Sequence, residues 1–152
     1  MNKLDSNILW QIAIVVSDIE ATARNYAELF GMEMPEILVS GTGQDECVYY
    51  NGEYSPAVHK LAFLKMGMLQ LELIQPNSAP STWKDFMEQH GEGIHHIAFF
   101  VKDNAQTLEF LEKRGIMPLQ KGIFTVGSYN YMDTIDKLGV IVSVSEKYSN
   151  MR

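Results

Sequence analysis

The sequence predicts an α+β fold made of two β-α-β-β-β modules in tandem, and three observations point to it. Gln11-Ile12-Ala13-Ile14-Val15-Val16-Ser17-Asp18 and His96-Ile97-Ala98-Phe99-Phe100-Val101-Lys102-Asp103 align by their apolar positions, about 85 residues apart. Each is rich in β-branched and aromatic residues, which suit a pleated surface. Each is followed by apolar residues at helical spacing and a glycine, and then by three runs that alternate with period 2.

Asp18 and Asp103 end the first strand of each module, where a carboxylate can accept from the unpaired first-turn amides of a helix. In the first helix Ile19, Ala23, Tyr26, Ala27 and Phe30 fall on one stripe, and Gly31 provides a left-handed stop. In the second, Ala105, Leu108 and Leu111 form the stripe and Gly115 the stop. The alternating runs are expected at 35–41, at 46–51 with 57–66, and at 68–75 in the first half, then at 117–121, 125–133 and 139–146. Between the halves, Pro76 to Pro80 breaks the chain, and Ser81 or Thr82 opens a short helix with Trp83, Phe86 and Met87 on one face. This gives one domain over 1–152, with module one at about 9–76, a docked linker helix at about 80–91 and module two at about 93–147. Gly41 to Ser55, with three glycines, reads either as a mobile loop that closes over a ligand or as a solvated hairpin.

Composition narrows the function classes. A chain of 152 residues, 46% hydrophobic and 20% charged, suits one globular core. No charge-free apolar stretch approaches the roughly 20 residues of a membrane span. Twelve Lys and Arg against nineteen Asp and Glu leave a net charge of -7 without a basic run, which argues against nucleic acid and anionic membranes as partners. Met1 to Asp5 contains no apolar signal core, and a single cysteine, Cys47, cannot form an internal disulfide. Both features lead to the expectation of a cytoplasmic protein. Cys47 lacks a Cys-His context, and neither a phosphate-binding glycine loop nor a Ser-His-Asp arrangement occurs.

Side chains alternate across a strand, so counting assigns faces. Ile12, Ile14 and Val16 oppose Gln11, Ala13 and Val15, while Leu69, Leu71 and Leu73 oppose Gln70, Glu72 and Ile74. Ile97, Phe99 and Val101 oppose His96, Ala98 and Phe100, and Val140, Val142 and Val144 oppose Ile141, Ser143 and Ser145. Each strand thus has one apolar face for the helices. The other faces carry Gln11, Glu72, His96 and Ser143 at matching places. An amide oxygen, a carboxylate and an imidazole can together hold a divalent metal, with water completing an open site. A solvent-facing Glu and a structural His remain the plainer interpretation. Parity places His95 with Ile97, in a structural or supporting role, and Glu146 with Val142 and Val144. Glu72 is then the one carboxylate expected on the inner face. Tyr129 and Tyr131 alternate together and either line the cleft or pack against the neighbouring strand. His59, Leu61 and Phe63 occupy the matching strand of the first half.

Residues 9–146 resemble the vicinal oxygen chelate superfamily, the glyoxalase, bleomycin-resistance and extradiol-dioxygenase group. The resemblance rests on Gln11 to Val16 with Asp18-Ile19, Leu71-Glu72-Leu73-Ile74-Gln75-Pro76, Gly93-Ile94-His95-His96-Ile97-Ala98-Phe99, and Asp133-Thr134 through Leu138-Gly139-Val140. Within the superfamily the chain is most similar to methylmalonyl-CoA epimerases and lactoylglutathione lyase-related proteins. The resemblance implies a curved, partly open mixed sheet with helices on its outer face, and a homodimer. It also implies a divalent metal (Zn, Co, Ni, Mn or Fe) held by Gln11, Glu72 and His96. Where the family commonly has a fourth ligand, Glu, this chain has Ser143, a poor ligand because its hydroxyl is neutral.

The implied activity is that of a lyase, isomerase or epimerase that removes a proton next to a carbonyl or acyl thioester, with Glu72 as the catalytic group. His59, Leu61, Phe63, Phe100, Tyr129, Tyr131 and Ser143 are the expected substrate-binding residues. An epimerase wants a base on each side of the reacting carbon, and Glu72 supplies one. The alternative is a metal-free small-molecule binding or resistance-type protein of the same fold. An extradiol dioxygenase is a minor option, because its iron site wants two inner-face His and one carboxylate.

Overall fold

A computed structural model describes residues 1–41 and 45–148. Its strands are β1 (Leu9–Val15), β2 (Leu38–Ser40), β3 (Glu46–Tyr50), β4 (Glu53–Ser55), β5 (His59–Met66), β6 (Leu69–Pro76), β7 (Gly93–Phe100), β8 (Pro118–Phe124), β9 (Gly127–Met132) and β10 (Ile141–Lys147). The helices are α1 (Ile19–Phe30), α2 (Thr82–His90), α3 (Asn104–Glu112) and α4 (Ile135–Leu138). All ten strands form one curled mixed sheet, ordered β2-β5-β6-β1-β7-β10-β9-β8-β3-β4. The α+β expectation therefore holds. The halves join within the chain, because β1 runs parallel to β6 and antiparallel to β7.

The expected caps form. Asp18 accepts from the Ala21 amide at 3.0 Å, and Asp103 accepts from the Gln106 amide at 2.9 Å. Gly31 ends α1 with φ 63°, in the left-handed region. On the outer face, α1 lays Ile19 and Ala23 on Ala62, Leu71 and Leu73, while α3 places Leu111 against Val142 and Val144. The linker helix docks differently. Ser81 caps α2 at the Lys84 amide, 3.0 Å away, and Trp83 turns into the concave face among Ala13, Ile74, Tyr131 and Ile141. One end of the half-barrel is thereby filled.

Two features depart from the expected pattern. The run expected at 46–51 with 57–66 divides into β3, β4 and β5, and the β3–β4 hairpin leaves its own module to pair β3 with β8 at the far end of the sheet. Asn51 at φ 49° and Gly52 at φ 82° make the hairpin turn, since Asn-Gly tolerates two consecutive positive φ angles. Most of the segment from Gly41 to Ser55 is therefore a hairpin, although 42–44 lie outside the described residues. The four-residue α4 was not expected from the sequence. It follows the Asp133-Thr134 segment and stops at Gly139, φ 80°.

Gly122 faces Tyr129 across the β8–β9 ladder, and a Cβ at Gly122 would lie 2.0 Å from the tyrosine ring. Gly122→Ala should destabilise the protein by about 1–3 kcal/mol through overpacking, read as a lower urea midpoint with an unchanged slope. An unaltered midpoint would mean that the ring can vacate this position freely.

Candidate functional site

The open part of the concave face is a cavity of about 470 Å³. Gln11, His59, Leu61, Phe63, Glu72, His96, Phe100, Tyr129, Tyr131 and Ser143 all line it. Strand register brings the polar residues together. Ala13 on β1 is opposite Glu72 on β6 on one side and His96 on β7 on the other, and Ala98 is likewise paired with Gln11 and Ser143. With strands about 4.8 Å apart, Glu72 and His96 flank a central alanine whose methyl leaves room above it.

Glu72 is 9% exposed and makes no hydrogen bond or ion pair among the described residues. Burial, reinforced by the Glu46 charge, pushes its carboxyl up to about 8. Gln11 donates to the Gln70 side-chain oxygen at 2.6 Å. Ser143 stands 3.5 Å from the Ser145 hydroxyl.

His95 departs from the parity reading. Ala13 pairs with His96 and Ile14 with Ile94, so His95 is the extra residue of a bulge and turns inward instead of following Ile97. Its ring meets Phe86 and Tyr131, with centroids at 5.6 and 5.2 Å, and its Nδ1 lies 2.8 Å from the Nδ1 of His96. Burial holds His95 down at about 3 and His96 well below the ordinary imidazole range, so both rings are neutral at pH 7. Two neutral rings in Nδ1–Nδ1 contact must be complementary tautomers. The His95 Nε2 has no hydrogen-bond partner among the described residues. In the tautomer that places the proton on the His96 Nδ1, the His96 Nε2 presents its lone pair.

The sequence reading missed a second buried carboxylate, Glu46 on β3, 2% exposed. It accepts from Ser40 at 2.7 Å and from Tyr129 at 2.8 Å, and the His59 Nε2 is 3.2 Å away. Burial raises the Glu46 carboxyl against those hydrogen bonds, and burial lowers His59 to about 4. The available signal was alternation with buried Val48 in the same strand. Tyr129 and Tyr131 both line the cavity and stack on each other, 4.6 Å between centroids. Trp10 was missed because it is the extra residue of a bulge between Leu9 and Gln11, and it stacks on Phe100 at 4.3 Å.

Among the described residues, no three His, Cys, Asp or Glu side chains group as a metal site. The donor set around Ala13 and Ala98 instead needs the Gln11 amide beside Glu72 and His96. It fits a divalent ion chemically: His96 is neutral and can offer one ring nitrogen, and Glu72 has no competing partner among the described residues.

A family model described as Glyoxalase/Bleomycin resistance protein/Dioxygenase superfamily matches residues 10–131. The chain belongs to this superfamily. Similar proteins include the uncharacterized protein YqjC of Bacillus subtilis, 28% identical over 121 residues, covering 80% of this chain and 73% of that protein. The ethylmalonyl-CoA/methylmalonyl-CoA epimerase of Cereibacter sphaeroides is 29% identical over 119 residues, 78% of each chain. In structure, a variant of Streptomyces coelicolor methylmalonyl-CoA epimerase in complex with 2-nitronate-propionyl-CoA has a TM-score of 0.66 at 18% identity, covering 97% of both chains. That likeness is one of fold.

The buried groups set the pH dependence of stability. Folded Glu72 keeps its proton up to about 8, whereas the unfolded chain releases it near 4.5, so this group removes stability as pH rises between those values. His59 and His95 have the opposite sense: they stay neutral down to about 4 and 3, and stability is lost as pH falls below 6.5, where the unfolded imidazoles protonate. Urea midpoints for Glu72→Gln should gain on wild type as pH rises from 5 to 8.5. Parallel curves would show that Glu72 is not held neutral.

Proposed function

We propose that this glyoxalase-superfamily protein is a lyase or epimerase that moves a proton on the carbon next to a carbonyl or acyl thioester. The observation that carries this reading is Glu72, a carboxyl group with no hydrogen bond or ion pair among the described residues, inside a cavity that also holds neutral His96 and Gln11. A carboxylate stripped of water is a stronger base than one in solution, because its charge is not dispersed by solvent. Gln11, Glu72 and His96 would hold a divalent ion, whose chemistry would be to stabilise negative charge on the carbonyl oxygen. Glu72 is the one carboxylate of the three, so it would serve as a ligand or as the proton acceptor but hardly as both. The apolar walls, including Leu61, Phe63 and Phe100, exclude water that would quench the carbanion.

Epimerisation also needs a proton returned from the other side. Tyr129, hydrogen-bonded to Glu46, and His59, whose Nε2 lies 3.2 Å from the Glu46 carboxylate, present titratable groups on other walls of the same cavity. Similarity to the Cereibacter epimerase supports a malonyl-type thioester as substrate. A metal-free binding protein is the second reading, favoured by the neutral Ser143 where the family commonly has a carboxylate.

Incubation with methylmalonyl-CoA in D₂O, with and without Zn, Co, Ni or Mn, tests the proposal by deuterium uptake at the α-carbon. Uptake is expected in wild type, with a loss of about 10²–10⁴-fold in Glu72→Ala. Ligand binding without exchange, unaffected by Glu72→Ala, would establish the binding-protein reading instead.

A further inference from the structure

Ser143, Ser145 and Lys147 alternate along β10 and share its concave face. Ser143 is 2% and Ser145 9% exposed, and Lys147 is exposed, so the column runs outward from the buried polar residues to the cavity mouth. Four residues at about 3.3 Å each put Lys147 about 13 Å from Ser143. Among the described residues, Lys147 is the one lysine or arginine in the lining. Its amine sits 4.5 Å above the Phe100 ring, the ring that also stacks on Trp10. Lys147 forms no salt bridge among the described residues, although nineteen acidic residues face twelve basic ones in the whole chain. Neighbouring Glu146 is occupied by the Asn104 amide at 3.0 Å. The Trp10 Nε1–H, in the same aromatic cluster, is a buried donor without an acceptor among the described residues.

We infer that Lys147 receives an anionic group carried on the thiol half of a thioester or thiol-adduct substrate, at the cavity mouth and away from the reacting carbon. This rests on the proposed lyase or epimerase reading. Distance separates the carrier from the acyl group. A carboxylate on a malonyl-type acyl group is two bonds from the thioester carbonyl and stays beside Glu72 and His96, whereas an anion about 13 Å outward belongs to the carrier. A cavity of about 470 Å³ takes the acyl end and leaves a charged carrier end at the opening, where an exposed lysine meets it with little desolvation. Two carriers share this chemistry: a phosphate of a coenzyme A type, or a carboxylate of a glutathione type.

Titration calorimetry with coenzyme A, glutathione and uncharged pantetheine, on wild type and Lys147→Met, tests the site, with thermal melts to verify folding. Lys147→Met should weaken one charged carrier about five- to tenfold, leave pantetheine within about twofold, and lose most of its effect at high salt. An effect on coenzyme A assigns the phosphate, and an effect on glutathione assigns the carboxylate. Equal effects on all three probes, no effect, or no binding by any probe would overturn the inference. Carrier binding through Lys147 without α-proton exchange would overturn the proposed reaction while the anion site stands. Exchange with an unchanged KM in Lys147→Met would overturn the anion site alone.

Discussion

Glu46 is a buried carboxylate met by polar partners, and the curl of this sheet is tied to where those partners come from. Ser40 comes from β2, His59 from β5 and Tyr129 from β9, whereas Glu46 arrives on a hairpin that crosses to the far end of the sheet. Satisfying one side chain therefore draws the two ends of a ten-stranded sheet toward each other. Gly122 yields its side-chain volume to Tyr129, so the tyrosine can lie flat on the strand and reach Glu46. Trp83 then fills the end of the half-barrel that the polar network leaves apolar.

The remaining concave face is a cavity because it is not packed. Ala13 and Ala98 are fully buried yet small, so the polar residues opposite them on neighbouring strands overlook a shared space. Burial in and beside that space acts on four titratable groups in the direction that removes charge: Glu72 upward, and His59, His95 and His96 downward. The neutral His96 also depends on a backbone irregularity, since the bulge that turns His95 inward supplies the ring nitrogen 2.8 Å from its Nδ1.

Much of this was legible in the sequence. Period-2 alternation, the capping aspartates and the glycine stops report local geometry, which a residue and its near neighbours decide. Alternation also put Gln11, Glu72, His96 and Ser143 on one face. It failed at Trp10 and His95, because a bulge inserts one residue and reverses the count. It also overlooked the Asn51-Gly52 turn, whose tolerance of positive φ splits the run expected at 46–51 with 57–66.

By itself, then, the sequence determined the α+β pattern, the repeated modules and the inner-face polar set, because strand and helix periods are local. Tertiary structure alone decided that the β3–β4 hairpin crosses to β8, that Glu46 becomes a second buried carboxylate, and that α2 closes the concave end. Those outcomes depend on which distant surfaces bury one another, and no local period encodes the partner of an edge strand or the donors of a buried charge.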